Sequence, residues 1–134
     1  MFKLIKILNS GVNVPETVKL PKSASASIKL GSALTLIDGE VTSCSATSAP
    51  QYIAAQNAKI GDDSVLCYAV NENMIFETVF NASPDGVLLG HKVTLGTDAD
   101  GATVCVTANT ASGVATVTDL MGAKAAGDKV NVKF

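Results

Sequence analysis

The chain has 134 residues, 47% of them hydrophobic, and its ten lysines and twelve acidic residues give a net charge of −2. This length fits one domain, and the scarcity of aromatic residues indicates a core of small aliphatic side chains. Arginine is absent, the lysines are spread along the sequence, and apolar runs stay far below the roughly 20 residues that span a bilayer, so neither nucleic acid nor a membrane is an expected partner.

The first 22 residues differ from the rest because their apolar side chains are scattered and are interrupted by Gly11, Pro15 and Pro21. Two interpretations stay open for residues 1–22: an extended arm that runs over a neighbouring molecule, or an ordinary edge strand followed by a loop. Lys6 interrupts the opening apolar run, so no secretory signal is predicted and we expect synthesis in the cytoplasm. The apolar side chains of this segment are the candidate interface residues, namely Phe2, Leu4, Ile7, Leu8, Val12, Val14 and Val18.

Residues 23–134 show apolar and polar side chains in alternation between clusters of Gly, Asp, Asn, Pro and Ser, which is typical of half-buried strands. This pattern predicts a single all-β domain, a small barrel or sandwich built from hairpins. The clearest hairpin joins Leu34–Ile37 to Glu40–Thr42, because Asp38-Gly39 favours a type I′ turn whose twist matches that of the strands.

A short strand at Gln51–Gln56 and a second hairpin come next along the chain. This hairpin joins Ser64–Val70 to Met74–Phe80 through Asn71–Asn73, and its fuller hydrophobicity predicts two central strands in the middle of the core. Asp119–Ala126 is the one segment that tolerates a helix, of one or two turns at most. The C-terminal third is predicted to be a meander of short strands. These strands are Val93–Leu95, Thr103–Thr107, Val114–Val117 and Lys129–Phe134.

Two segments approach known ligand-binding motifs without matching them. Gly122–Lys129 resembles a phosphate-binding loop, but Asp128 stands where the phosphate-binding lysine belongs and the segment leads into a strand, so a surface turn is predicted. Asp98–Gly101 resembles the opening of a calcium loop, but the twelfth position is Asn109 rather than a bidentate glutamate, so a hairpin turn is predicted.

Nucleophiles and metal ligands are few and isolated in this sequence. His91 has no second His or Cys at ligand spacing, and nothing indicates that the thiol of Cys105 has the lowered pKa that a dyad with His91 would need. Cys44, Cys67 and Cys105 are odd in number and lack Cys-x-x-Cys spacing, so free thiols are expected. We therefore expect no catalytic, cofactor-binding or metal site, no small-molecule substrate, and no enzyme activity.

Several segments nevertheless stand in a familiar order. They are Gly31–Thr42, Ala49–Ala54, Val65–Glu77, Gly90–Leu95, Gly113–Val117 and Ala126–Phe134. In this order the chain resembles the small head decoration proteins of tailed bacteriophages, over roughly residues 30–134. The matching motifs are mainly turns and short strands, and the first stretch of the chain is not covered.

The resemblance implies a compact β domain that binds the major capsid protein on the outer surface of the assembled head. It also implies self-association, commonly as a trimer, and a role in strengthening the shell of the virion after synthesis in the host cytoplasm. No catalytic residue or cofactor is implied. Two alternatives stay open: another phage structural β domain of the tail tube or fibre, and a small-ligand-binding β-barrel, against which the six aromatic residues and single histidine argue.

Overall fold

Twelve β-strands form the regular structure of the chain in a computed structural model that describes residues 1–8 and 15–134. No helix occurs in these ranges, and the prediction of a small, single, all-β domain is confirmed. Nothing in the described residues could cross a membrane as a long apolar helix. The strands are β1 Lys3–Ile7, β2 Thr17–Pro21, β3 Ala33–Ile37, β4 Glu40–Ser43, β5 Tyr52–Ala54, β6 Ser64–Ala69, β7 Met74–Val79, β8 Lys92–Val93, β9 Leu95–Thr97, β10 Thr103–Val106, β11 Ala115–Asp119 and β12 Lys129–Lys133.

The strands form two five-stranded antiparallel sheets and one separate ribbon. The first sheet has the order β1-β7-β12-β11-β8, and β9 pairs with β10 in the ribbon. The second sheet has the order β2-β6-β5-β3-β4, and its two edge strands, β2 and β4, come back into contact with each other. The second sheet is therefore rolled into a small barrel, which we call the barrel below.

Two hydrophobic cores follow from this arrangement. The main core lies between the first sheet, the ribbon and the outer wall of the barrel, and Phe76 and Phe80 are its largest fully buried side chains. A smaller core fills the barrel around Leu34. Because side chains alternate along a strand, neighbouring residues of β5 serve different cores: Ile53 packs in the main core and Ala54 inside the barrel.

The prediction that Ser64–Val70 and Met74–Phe80 form a hairpin is wrong. Strand β6 lies in the barrel between β2 and β5, whereas β7 lies in the first sheet between β1 and β12. The connection at Asn71–Asn73 is a tight turn, in which Met74 N donates to Asn71 O over 3.1 Å, but it carries the chain from one sheet to the other. The alternation of apolar and polar residues along a strand indicates which of its side chains are buried, but it does not indicate which other strand pairs with it. Each strand nonetheless lies between two neighbours in its own sheet and is not an edge strand.

The turn at Asp38-Gly39 is confirmed. Both residues have positive φ, 51° and 85°, and the register pairs Ile37 with Glu40, as a type I′ hairpin requires. The short strand within Gln51–Gln56 is also present as β5.

The predicted C-terminal meander is only partly correct. Strands β9 and β10 pair across the Asp98–Gly101 turn as expected, but β11 pairs with β8 and β12 rather than with β10. The predicted strand Val93–Leu95 is divided, because Val93 belongs to the first sheet and Leu95 to the ribbon. Asp119–Ala126 contains turns instead of a helix, with positive φ at Met121 and Gly122.

Candidate interaction surfaces

Phe2 is the best-anchored of the candidate interface residues, and it is anchored in the chain's own core. Its side chain is 2% exposed, and its ring packs edge to face on the ring of Phe134 with centroids 5.3 Å apart. The Phe2 amide donates to Gly31 O over 3.0 Å. Gly31 has φ of +73°, and a Cβ atom there would lie 2.8 Å from Phe2 O, so only glycine permits this close approach.

The other candidates differ in exposure. Leu4 and Ile7, on edge strand β1, are partly buried against the main core, and the amide of half-buried Leu8 donates to Asn73 O. Val18, on edge strand β2, is exposed. Val12 and Val14 lie outside the described residues. The described parts of the N-terminal segment thus form one edge strand in each sheet.

His91 and Cys105 take separate partners. The His91 Nδ1 atom accepts a hydrogen bond from Leu88 N at 3.2 Å, whereas the Cys105 Sγ atom lies 3.7 Å from Thr97 O. Burial raises the pKa of the Cys105 thiol, which favours the thiol over the nucleophilic thiolate.

All three cysteines are free, as the sequence predicts, and all three are buried. Burial raises the pKa of both Cys44 and Cys67 to about 11. Within the described ranges, no group of three or more His, Cys, Asp or Glu side chains is placed to hold a metal ion.

The two motif look-alikes form turns that are closed by aspartate side chains. Asp128 Oδ2 accepts from the amides of Lys124 and Ala125, at 2.8 and 2.9 Å, and these bonds lower the pKa of Asp128. Asp98 Oδ1 accepts from the amides of Asp100 and Ala102, both at 3.0 Å. Both turn predictions are confirmed, and in each turn an aspartate oxygen accepts two hydrogen bonds from backbone amides.

An ion pair that the sequence did not indicate joins the barrel side of the molecule to the ribbon. Lys29 Nζ lies 2.7 Å from Asp98 Oδ2 and also contacts the carboxylate of Asp100. The hydrogen bond from Lys29 is the largest cause that holds the pKa of Asp98 below its usual range. Because Lys29 and Asp98 are partly exposed, we expect the contribution of this pair to stability to be small and screened by salt.

This pair predicts an acid-sensitive part of the stability. A lowered folded-state pKa stabilises the fold above the ordinary pKa of an aspartate, and this stabilisation is lost as the pH falls through the folded-state value. Wild-type protein should therefore lose thermal stability from about pH 4 downward more steeply than Asp98→Asn, which keeps an Oδ1 acceptor for the two amides. Melting temperatures measured between pH 2 and pH 7 test this, and parallel curves would contradict it.

Lys22 is a buried lysine that the sequence reasoning missed. Only 2% of the residue is exposed, and its ammonium group donates to three backbone carbonyls: Ser23 O at 2.9 Å, Ala26 O at 2.7 Å and Asp62 O at 2.7 Å. Gly61 N donates to Ala24 O in the same region, so the loops 22–28 and 59–63 are joined at one end of the barrel.

The outward side of the first sheet gathers half of the lysines. Lys129 Nζ lies 3.0 Å from Glu77 Oε1, and Lys3 is the cross-strand partner of Glu77. In the same sheet, Thr116 is the cross-strand partner of both Lys92 and Lys133. These side chains alternate with the buried residues of their strands and therefore point away from the main core. We call this surface the lysine face; its charged members are Lys3, Lys6, Lys92, Lys129, Lys133, Glu77 and Asp119.

The distribution of charge is strongly uneven. Five lysines and two carboxylates give the lysine face a net charge of +3, and the other five lysines and ten carboxylates leave −5 elsewhere, which together make the −2 of the chain. The spacing of Lys129 and Lys133 along one strand was visible in the sequence. The approach of Lys3, Lys6 and Lys92 was not, because it depends on pairing between distant strands.

One end of the barrel exposes both acidic and apolar side chains. The tip of the β3–β4 hairpin and the loop 22–28 line an open groove of 390 Å³. Ile37 at the hairpin tip is 55% exposed, and Ile60 in the adjoining loop is 72% exposed. We call this region the acidic end; its exposed members are Ile37, Asp38, Glu40, Lys59, Ile60, Asp62 and Asp63.

A second exposed apolar tip lies between β7 and β8. Leu88 and Leu89 are 60% and 64% exposed, although Val87 beside them is buried in the main core. The turn is held by the bond from Leu88 N to His91 and by the bond from Gly90 N to Val117 O at 2.9 Å.

Compared with known proteins, the chain matches no protein-family model and no curated protein.

Proposed function

We propose that this chain is a head decoration protein of a tailed bacteriophage, which binds the major capsid protein on the outer surface of the assembled head. The observation that carries the proposal is the resemblance of the ordered segments between residues 30 and 134 to such proteins. The chain acts as a homo-oligomer, a trimer as the resemblance implies, and it acts by contact rather than by catalysis. It is made in the host cytoplasm and needs no cofactor, nucleic acid or small-molecule substrate.

The physical mechanism is added contact area. Each bound copy buries on the order of 1,000 Å² against the shell, and many copies together raise the free energy needed to separate neighbouring capsid subunits. A small β domain with a well-packed core suits this role, because a preformed surface loses little conformational entropy on binding.

The Leu88-Leu89 tip is the surface that we assign to the capsid. Two neighbouring leucines protrude from a turn whose backbone is fixed at Val87, His91 and Gly90. Burying a leucine side chain contributes about 1.5–3 kcal/mol, so a capsid pocket that covers both would supply a large part of the affinity of each copy.

The test measures binding to assembled heads that lack decoration, together with the melting temperature of those heads. Wild-type protein should bind at regular positions on the shell and raise its melting temperature. The double variant L88S/L89S should keep its own thermal stability but bind at least about 10-fold more weakly per copy, since it loses apolar contact area. Leu30→Ser is the matched control, because Leu30 is an exposed leucine on another part of the chain.

Two results would contradict the proposal in different ways. Heads whose melting temperature does not change with the wild-type protein would argue against decoration, and binding to tails instead would favour the alternative phage structural role. Equal weakening by Leu30→Ser and L88S/L89S would remove the assignment of the capsid contact to the leucine tip.

A further inference from the structure

We infer that this chain associates with itself head to tail, with the acidic end of one copy bound on the lysine face of the next. Both partners of this contact are present on the same chain. The lysine face carries a net charge of +3, and the acidic end exposes Asp38, Glu40, Asp62 and Asp63 against the single exposed lysine Lys59. Opposite charges on two patches of one molecule favour contact between copies and speed their encounter.

Most charges of the two patches take part in no ion pair within the described residues. Lys22, the second lysine at the acidic end, is enclosed by three carbonyls and adds no exposed ammonium there. On the lysine face, Lys129 pairs with Glu77 at 3.0 Å, and the other four lysines make no ion pair within the described part of the chain. A charge that is not already paired gains more from an incoming carboxylate.

The apolar groups of the two patches also correspond. Ile37 and Ile60 protrude from the acidic end, 55% and 72% exposed. Between the lysines, the outward side of β7 presents Ile75 and Val79, which are only half-buried. The long lysine stems add apolar surface around them. Contact between the patches would therefore bury apolar area inside a ring of opposite charges, which is the usual anatomy of a protein interface.

The composition of the lysine face argues against nucleic acid as its partner. It contains no arginine and no aromatic side chain for stacking on bases, and the carboxylate of Glu77 lies at its centre, beside Lys3 and Lys129. A second lysine face is also disfavoured, because it would place like charges opposite each other. The contact is therefore heterologous, and its copies close into a ring or extend as a chain.

The experiment is sedimentation of the purified chain over a concentration series, at about 20 mM and about 500 mM salt. At low salt the mass should rise with concentration above the 13.7 kDa of one copy, and high salt should weaken the association. Reversal of charge in K129E/K133E should weaken the association at least about 10-fold, and so should D38K/E40K, because each creates like charges at the contact. The combined four-fold variant should recover to within about three-fold of the wild type, because it restores opposite charges.

Controls separate the contact from general charge and from folding. K19E/K124E changes two exposed lysines outside the lysine face and alters the net charge as much as K129E/K133E, so it should associate like the wild type. Because Lys129 is paired with Glu77, K6E/K92E provides a second reversal of the lysine face that leaves this pair intact. Circular dichroism and thermal melting verify that each variant is folded.

Three sedimentation results would overturn the inference: a wild-type mass of 13.7 kDa over the whole range, a combined variant that does not recover, or a control that weakens association as much as the reversals. Tight binding of a labelled DNA oligonucleotide, lost in K129E/K133E without any effect on self-association, would also overturn it. The measurement contains no capsid, so its failure would argue against self-association in free solution but would leave binding to the capsid standing. Failure to bind the capsid would, in turn, leave this contact between copies standing.

Discussion

Replacing Phe2 by alanine is expected to lower the free energy of unfolding by about 3–5 kcal/mol, the usual cost of removing a buried phenylalanine. The ring is 2% exposed and packs on Phe134, which in turn packs on Phe76 with centroids 5.5 Å apart. Removing the first ring leaves the other two beside a cavity and loosens the attachment of β1 to β7. Urea unfolding followed by circular dichroism gives the measurement.

Ile5→Ala is the matched control, because Ile5 lies three residues away in β1 and is 44% exposed. It should cost less than about 1 kcal/mol, as exposed positions usually do. If Phe2→Ala were as stable as Ile5→Ala, the first strand would contribute little to the fold. The interpretation of residues 1–22 as an arm for a neighbouring molecule would then gain support.

Local features of the fold could be predicted from the sequence, and distant pairings could not. The turn at Asp38-Gly39 depends on the φ preferences of two adjacent residues, so its prediction needed nothing else. The error at Asn71–Asn73 has the opposite origin. Two apolar strands joined by three polar residues are compatible both with a hairpin and with a connection between two sheets. Which of these forms depends on the strands that pair with β6 and β7, namely β2, β5, β1 and β12, and these lie elsewhere in the sequence.

The candidate surfaces also combine local features that the sequence predicts with distant contacts that it does not. Alternation in the last strand already places Lys129 and Lys133 on one side of a sheet. The lysine face as a whole depends on the pairing of β1 with β7 and of β8 with β11. Phe2 was expected at an interface as one of the scattered apolar side chains of residues 1–22. Its burial against Phe134 could not be predicted, because the two residues lie at opposite ends of the chain and no local pattern connects them.

Lys22→Met is expected to lower the free energy of unfolding by about 3 kcal/mol, since hydrogen bonds to a charged group contribute about 1.5–3 kcal/mol each and the cost of burying the ammonium offsets part of the total. Methionine keeps most of the apolar stem but donates no hydrogen bond, so three carbonyls lose their donor. The melting temperature should fall by about 10 °C for a domain of this size.

Lys59→Met provides the control, because Lys59 belongs to the same loop system and is exposed. It should change the melting temperature by no more than about 2 °C. A Lys22→Met protein as stable as the wild type would mean that the cost of burying the ammonium cancels its three hydrogen bonds, as happens for some buried charges. Because Lys22 joins the loops 22–28 and 59–63 at the acidic end, faster hydrogen exchange at the Gly61 amide should accompany the loss of stability.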